Sequence, residues 1–178
     1  MKKIFLVLLC CSFSLFFSCH RVEKNTKSIG MANPVKDCTP EYLLEAMGVS
    51  FNEPAESQEI LYSSIADSIA QMRFNWKGCN CIARIKSSDK MDDISGCYYD
   101  WEKEIQTKIG WCDAVIKYAV IQDGNIVAVC NWYDVVPGLL YSFSMVVPGI
   151  GPGDVSDVAG LVQDLATQTY VITQHEVE

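Results

Sequence analysis

Histidine is nearly missing from this chain: only His20 and His175 occur among its 178 residues. His20 lies close to the N-terminus, and His175 lies close to the C-terminus beside Glu176 and Glu178. Neither stands in a stretch that would hold an imidazole rigidly, so a preorganised histidine base has no candidate. The spellings Gly-x-Ser-x-Gly, His-Glu-x-x-His and Cys-x-x-Cys are absent too. Their absence removes the hydrolase elbow, the zinc-protease helix and the thioredoxin-type redox motif. Basic residues are scarce: 14 Lys and Arg stand against 22 Asp and Glu, a net charge of −8. No Lys/Arg cluster exists to neutralise phosphates, which argues against a nucleic-acid partner and leaves basic proteins or small molecules. Gly 11 and Pro 6 are too few for a collagen-like or low-complexity chain, while 49% hydrophobic residues are too many for disorder. No apolar run reaches the ~20 residues that a membrane-spanning helix needs.

The longest apolar run, residues 4–17, follows Lys2 and Lys3. A positive start and a short apolar stretch make a signal peptide rather than a span. The run ends in Leu15-Phe16-Phe17-Ser18-Cys19. A small residue directly before a cysteine resembles the lipobox of bacterial lipoproteins, a resemblance confined to the first 19 residues. It implies cleavage after residue 18, a diacylglyceryl group on the Cys19 thiol and an acyl chain such as palmitate on the new amine. With His20 rather than aspartate next, it also implies an outer-membrane anchor facing the periplasm. Two or three acyl chains hold a protein stably on a bilayer, since each buried methylene contributes ~0.8 kcal/mol. Residues 19–37 are polar and without apolar period, as expected of a flexible tether. Residues 38–178 are expected to form a single domain.

Within that domain Thr39-Pro40-Glu41 starts a helix that Gly48 closes. Leu61, Ile65, Ile69 and Met72 have the spacing of one helix face, and a second helix is expected to open at residues 52–54. Residues 78–86 alternate like a strand, with Cys79, Cys81, Ala83 and Ile85 on one side. Tyr98, Trp101, Ile105 and Ile109 form another helical stripe, stopped by Gly110. Asp123-Gly124 between two β-rich runs predicts a two-residue hairpin turn, with paired residue numbers summing to 247. On that register Ile116 faces Asn131 and Tyr118 faces Val129. A last strand covers residues 139–147, and Asp154 caps a final helix with the stripe Val155, Val158, Val162, Leu165 and Tyr170. The expected fold is α+β: an antiparallel sheet of about four strands with helices packed on it.

Cysteine is the one abundant reactive residue. Cys10 and Cys11 leave with the signal and Cys19 takes lipid, so Cys38, Cys79, Cys81, Cys97, Cys112 and Cys130 remain. An even number in an exported domain predicts three disulfides stapling the fold. The Cys79-Asn80-Cys81 pair alternatively suits a thiol–disulfide oxidoreductase or isomerase. It lies on a strand rather than at a helix N-terminus, where reactive thiols gain their low pKa. The remaining candidates have plainer readings. The Gly149–Asp154 stretch lacks a lysine and carries Pro152, so it is a loop before a helix rather than a phosphate cradle. Asp89, Asp92 and Asp93 lack the glycine and glutamate of a calcium loop, so they form a solvated turn. Phe74, Trp76, Trp132 and Tyr133 suit core packing, with a recognition surface as the alternative. No catalytic residue, metal site or cofactor is indicated. The function expected is a non-enzymatic, lipid-anchored periplasmic binding protein: an assembly factor, inhibitor or immunity-type protein with a basic envelope partner.

Overall fold

A computed structural model describes residues 34–121, 124–149 and 155–169. Their order is β1 (Val35–Cys38), α1 (Pro40–Met47), β2 (Ser57–Ile65), β3 (Ile69–Trp76), β4 (Cys79–Ser87), β5 (Lys103–Ile109), β6 (Cys112–Val120), β7 (Ile126–Asp134), β8 (Leu139–Val147) and α2 (Val155–Gln168). The strands form one eight-stranded sheet in the order β1-β2-β3-β4-β8-β7-β6-β5, with every neighbouring pair antiparallel. It consists of two four-strand meanders joined where β4 pairs with β8. The expectation of about four strands under a helical layer is therefore corrected, because two of the expected helices are strands.

The stripe Leu61, Ile65, Ile69, Met72 belongs to the hairpin of β2 and β3. Leu61, Ile65 and Ile69, spaced by four, lie on one side of a helix and equally on one side of the hairpin, whereas Met72 falls on its other side. The turn between them carries no glycine to mark it in the sequence. Ala66 and Asp67 adopt positive φ, and the Ser68 N–H donates to the Ile65 carbonyl at 3.1 Å. Ile105 and Ile109 lie likewise in β5, not in a helix, while Tyr98 and Trp101 belong to the preceding connection. The helix α1 starts as its sequence dictates: Thr39 Oγ1 accepts from the Tyr42 N–H at 3.3 Å, and Gly48 ends it in the left-handed region. β4, β8 and α2 follow their expected positions within a residue or two, although Asp123, Asp154 and Tyr170 lie outside the described residues.

The β6–β7 hairpin exists, but its register sums to 246: Ile116 faces Cys130 and Tyr118 faces Ala128. The Ile121 N–H donates to the Asn125 carbonyl at 2.8 Å and the Gly124 N–H to the Ile121 carbonyl at 3.2 Å. Three residues therefore separate the last pair, with Gly124 at φ +74° in the position that such loops reserve for a left-handed residue. One added loop residue moves each cross-strand partner by one, and hence to the other face.

That register gives the sheet two unlike faces. On the first, Phe74, Cys81, Met145 and Ala128 lie side by side across neighbouring strands, as do Met72, Ala83, Phe143, Cys130 and Ile116. All are buried, and Leu43 of α1 with Val158, Val162 and Leu165 of α2 complete this core. On the second face a single row crosses five strands as Ser63, Gln71, Arg84, Ser142 and Asn131. Residues 88–102 run across this side. β4 and β5 point the same way with three strands between them, so their connection must return along the length of the sheet. This strap is held by Arg84 Nη1 donating to the Ile94 carbonyl at 2.8 Å and Tyr133 Oη donating to the Ser88 carbonyl at 3.3 Å.

Candidate functional site

All six cysteines of the described domain are free thiols, which overturns the expected disulfide staples. Topology is the reason. Cys81 and Cys130 share the helix-covered face, but β8 runs between their strands and places Met145 and Phe143 there. Two strand spacings are about 9.6 Å, beyond the ~7 Å limit for a bridge. Cys112 and Cys130 lie on adjacent strands, yet Cys130 faces Ile116, four residues along from Cys112, or about 13 Å. Cys38 belongs to the edge strand β1, and Cys97 belongs to the strap on the opposite face.

Burial also makes these thiols poor nucleophiles. Cys81 and Cys130 are pushed up to about 12, and Cys112 to about 11, with Asp134 and Asp113 adding to the burial effect at Cys112. Cys38, Cys79 and Cys97 are raised as well, again chiefly by burial. A nucleophilic or redox cysteine needs the thiolate, which each of these environments disfavours. Among the described residues no group of three or more His, Cys, Asp or Glu side chains converges as a metal site. Asp92 and Asp93 instead tie the strap, their side chains accepting from the backbone N–H groups of Asp93 and Ser95. Phe74, Trp76, Trp132 and Tyr133 have packing roles. Phe74 is in the core, and Trp132 is buried and stacked on Tyr141 at 5.0 Å. Trp76 Nε1 donates to the Ala55 carbonyl, and Tyr133 holds the strap. Cys19 of the lipobox-like segment, both histidines and most of the Gly149–Asp154 loop lie outside the described residues.

The more informative surface is at the end of the sheet where β5 turns into β6 and β7 into β8. Ile109 pairs with Cys112, so Gly110 and Trp111 make a two-residue turn, with Gly110 at φ +59°. A glycine at the first position of such a turn accepts that φ without strain, and the second side chain is left at the tip. Trp111 is 65% exposed there. In the neighbouring turn Asp134 Oδ1 accepts from the Val136 N–H at 3.1 Å, and Val135 is 74% exposed. Between the two turns and the start of the strap lies a cleft of about 410 Å³ whose lining includes Met91, Trp111, Cys112, Asp113, Asp134 and Val135. Its rim is apolar and its polar side chains include two carboxylates. One of these, Asp113, is open to solvent and pairs with Lys108 at 2.6 Å, while Asp134 is buried.

None of Met91, Trp111, Asp113 or Val135 stood out in the sequence. The only available signal was Gly110-Trp111 between two β-rich runs, which marks a hairpin tip bearing an indole. The arrangement offers apolar contact and negative charge but no activated nucleophile. No family model matches the chain, nor does any curated protein or solved structure. Among the described residues no helix is long and apolar enough to cross a membrane.

Proposed function

We propose that this chain is a lipid-anchored periplasmic interaction protein, without enzymatic activity, that engages a basic partner in the bacterial envelope. The observation that carries the reading is the cleft at the β5–β6 and β7–β8 turns. It presents Trp111, Met91 and Val135 to solvent beside Asp113. A soluble domain rarely leaves an indole, a thioether and a valine exposed around one concavity unless something covers them, and tryptophan is enriched among residues that dominate binding energy. The chain's net charge of −8 favours a basic partner and speeds its approach at low salt. The thiol–disulfide alternative at Cys79 and Cys81 is less well supported, because both are buried in the helix-covered face as protonated thiols. Anchoring at Cys19 rests on the lipobox-like segment.

Two measurements test this reading. Cys19→Ser should leave an unacylated precursor that no longer enters the detergent phase with membrane proteins. A photo-reactive amino acid at position 111 should cross-link one identified envelope protein in living cells, and Asp113→Lys should abolish the adduct. An adduct unaffected by Asp113→Lys, or none at all, would overturn the assignment of the cleft.

A further inference from the structure

Resting on that reading, we infer that the cleft is a receptor for a single cationic side chain, a guanidinium or ammonium offered by the basic partner. Three features converge on this ligand. The Trp111 ring stands at a turn tip with most of its surface open, and an indole face attracts cations more strongly than the other aromatic side chains. Asp113 and Asp134 line the same concavity. Asp113 is already engaged by Lys108 at 2.6 Å, but both side chains are largely exposed, Asp113 at 88% and Lys108 at 64%. An exposed pair contributes little, so an incoming cation can take the place of Lys108 at little cost. Met91 and Val135 complete an apolar rim that would contact the methylene stem of an arginine or lysine while its charged end reaches the exposed Asp113 carboxylate, with the buried Asp134 adding negative field behind it. The stem supplies area, the indole supplies a face and the acids supply sign. A purely apolar ligand would leave the acids unanswered, and an acidic one would be repelled.

N-acetyl-argininamide is a suitable probe, with the isosteric, uncharged N-acetyl-citrullinamide as control, each titrated into the full domain by NMR. The arginine probe should shift the Trp111 indole N–H and the backbone amides of Asp113 and Val135 in a saturable way. The citrulline probe should bind at least tenfold more weakly. Trp111→Leu and Asp113→Asn should each reduce arginine binding severalfold, and raising the salt from 50 to 500 mM should weaken it further. Trp111 and Asp113 are exposed residues at a turn and at the strand end beside it, and an unchanged thermal midpoint confirms that both variants fold. Equal binding of the two probes, saturable shifts confined to another surface, or no saturable shift at all would overturn the inference. If the cross-link at position 111 forms while the arginine probe fails, the cation receptor falls and the interaction protein stands. If both fail, both readings fall.

Discussion

The two faces of the one sheet are built on opposite terms. The helix-covered face is dry: Phe143, Met145, Met72 and Ile116 are buried against α1 and α2, and its cysteines behave as small apolar residues. The strap-covered face is polar at its centre. There Gln71 Nε2 donates to Ser63 Oγ at 3.0 Å, and Arg84 Nε donates to Gln71 Oε1 at 2.8 Å. Arg84 Nη1 in turn reaches the Ile94 carbonyl. At the far end of that row Ser142 Oγ and Asn131 Oδ1 are buried without a hydrogen-bond partner among the described residues. A regular helix needs an apolar face beneath it because its own backbone is already satisfied. An irregular strap has carbonyls and N–H groups to satisfy, and polar side chains underneath serve that need. What covers a sheet decides what the sheet must present.

The contrast can be broken most severely on the dry side. Phe143→Ala, at a side chain with no exposure, should cost about 3–5 kcal/mol in a denaturant titration. A loss under 1 kcal/mol would show that the core is loosely packed. The same face should fail in alkali. Folded Cys81 and Cys130 hold their protons up to about 12, whereas the unfolded thiols ionise near 8.5. The folded state then binds more protons than the unfolded one, so stability is full below about pH 8.5 and declines as pH rises toward 12. Thermal midpoints from pH 7 to 11 check this, with a flat profile as the contrary result.

The strap side should respond more mildly. A Cβ on Gly96 would stand 2.5 Å from Arg84 Nη1, on a backbone at φ +69°. Gly96→Ala should displace the guanidinium from the Ile94 carbonyl and cost about 1–2 kcal/mol. It should also speed proteolytic cleavage within residues 88–102, and protease resistance equal to that of the unaltered protein would contradict the strap's attachment through Arg84. The smallest effect belongs to Ser142→Ala. Removing a buried hydroxyl that has no partner among the described residues should leave stability unchanged or raise it by up to about 1 kcal/mol. A clear destabilisation would mean that Ser142 is bonded to something, such as a buried water shared with Asn131.

Local chemistry was legible wherever a residue type leaves few conformational choices. Thr39, Pro40 and Gly48 bound α1 as their side chains require. The alternation from Cys79 to Ile85 marks β4, and residues 139–147 form β8 at the predicted bounds. The ambiguity came from residues four apart, such as Leu61 and Ile65 or Ile105 and Ile109. Such pairs satisfy a helix and a strand equally, because a spacing of four keeps both residues on one side of either. The cysteine count was legible but its consequence was not, because six thiols predict staples only if folding brings them together in pairs.

Sequence alone therefore settled the acidity, the near absence of histidine, the termini of α1 and the strand character of the later segments. Each of these depends on neighbours within a few residues. Tertiary structure decided the rest, and for one reason: strand order and register are long-range quantities. A hairpin loop of three residues instead of two put Cys130 opposite Ile116, and the joining of β4 to β8 drove Met145 and Phe143 between the strands of Cys81 and Cys130. The same topology carried the β5–β6 turn, the β7–β8 turn and the start of the strap to one end of the sheet, where Trp111, Val135 and Met91 meet around Asp113.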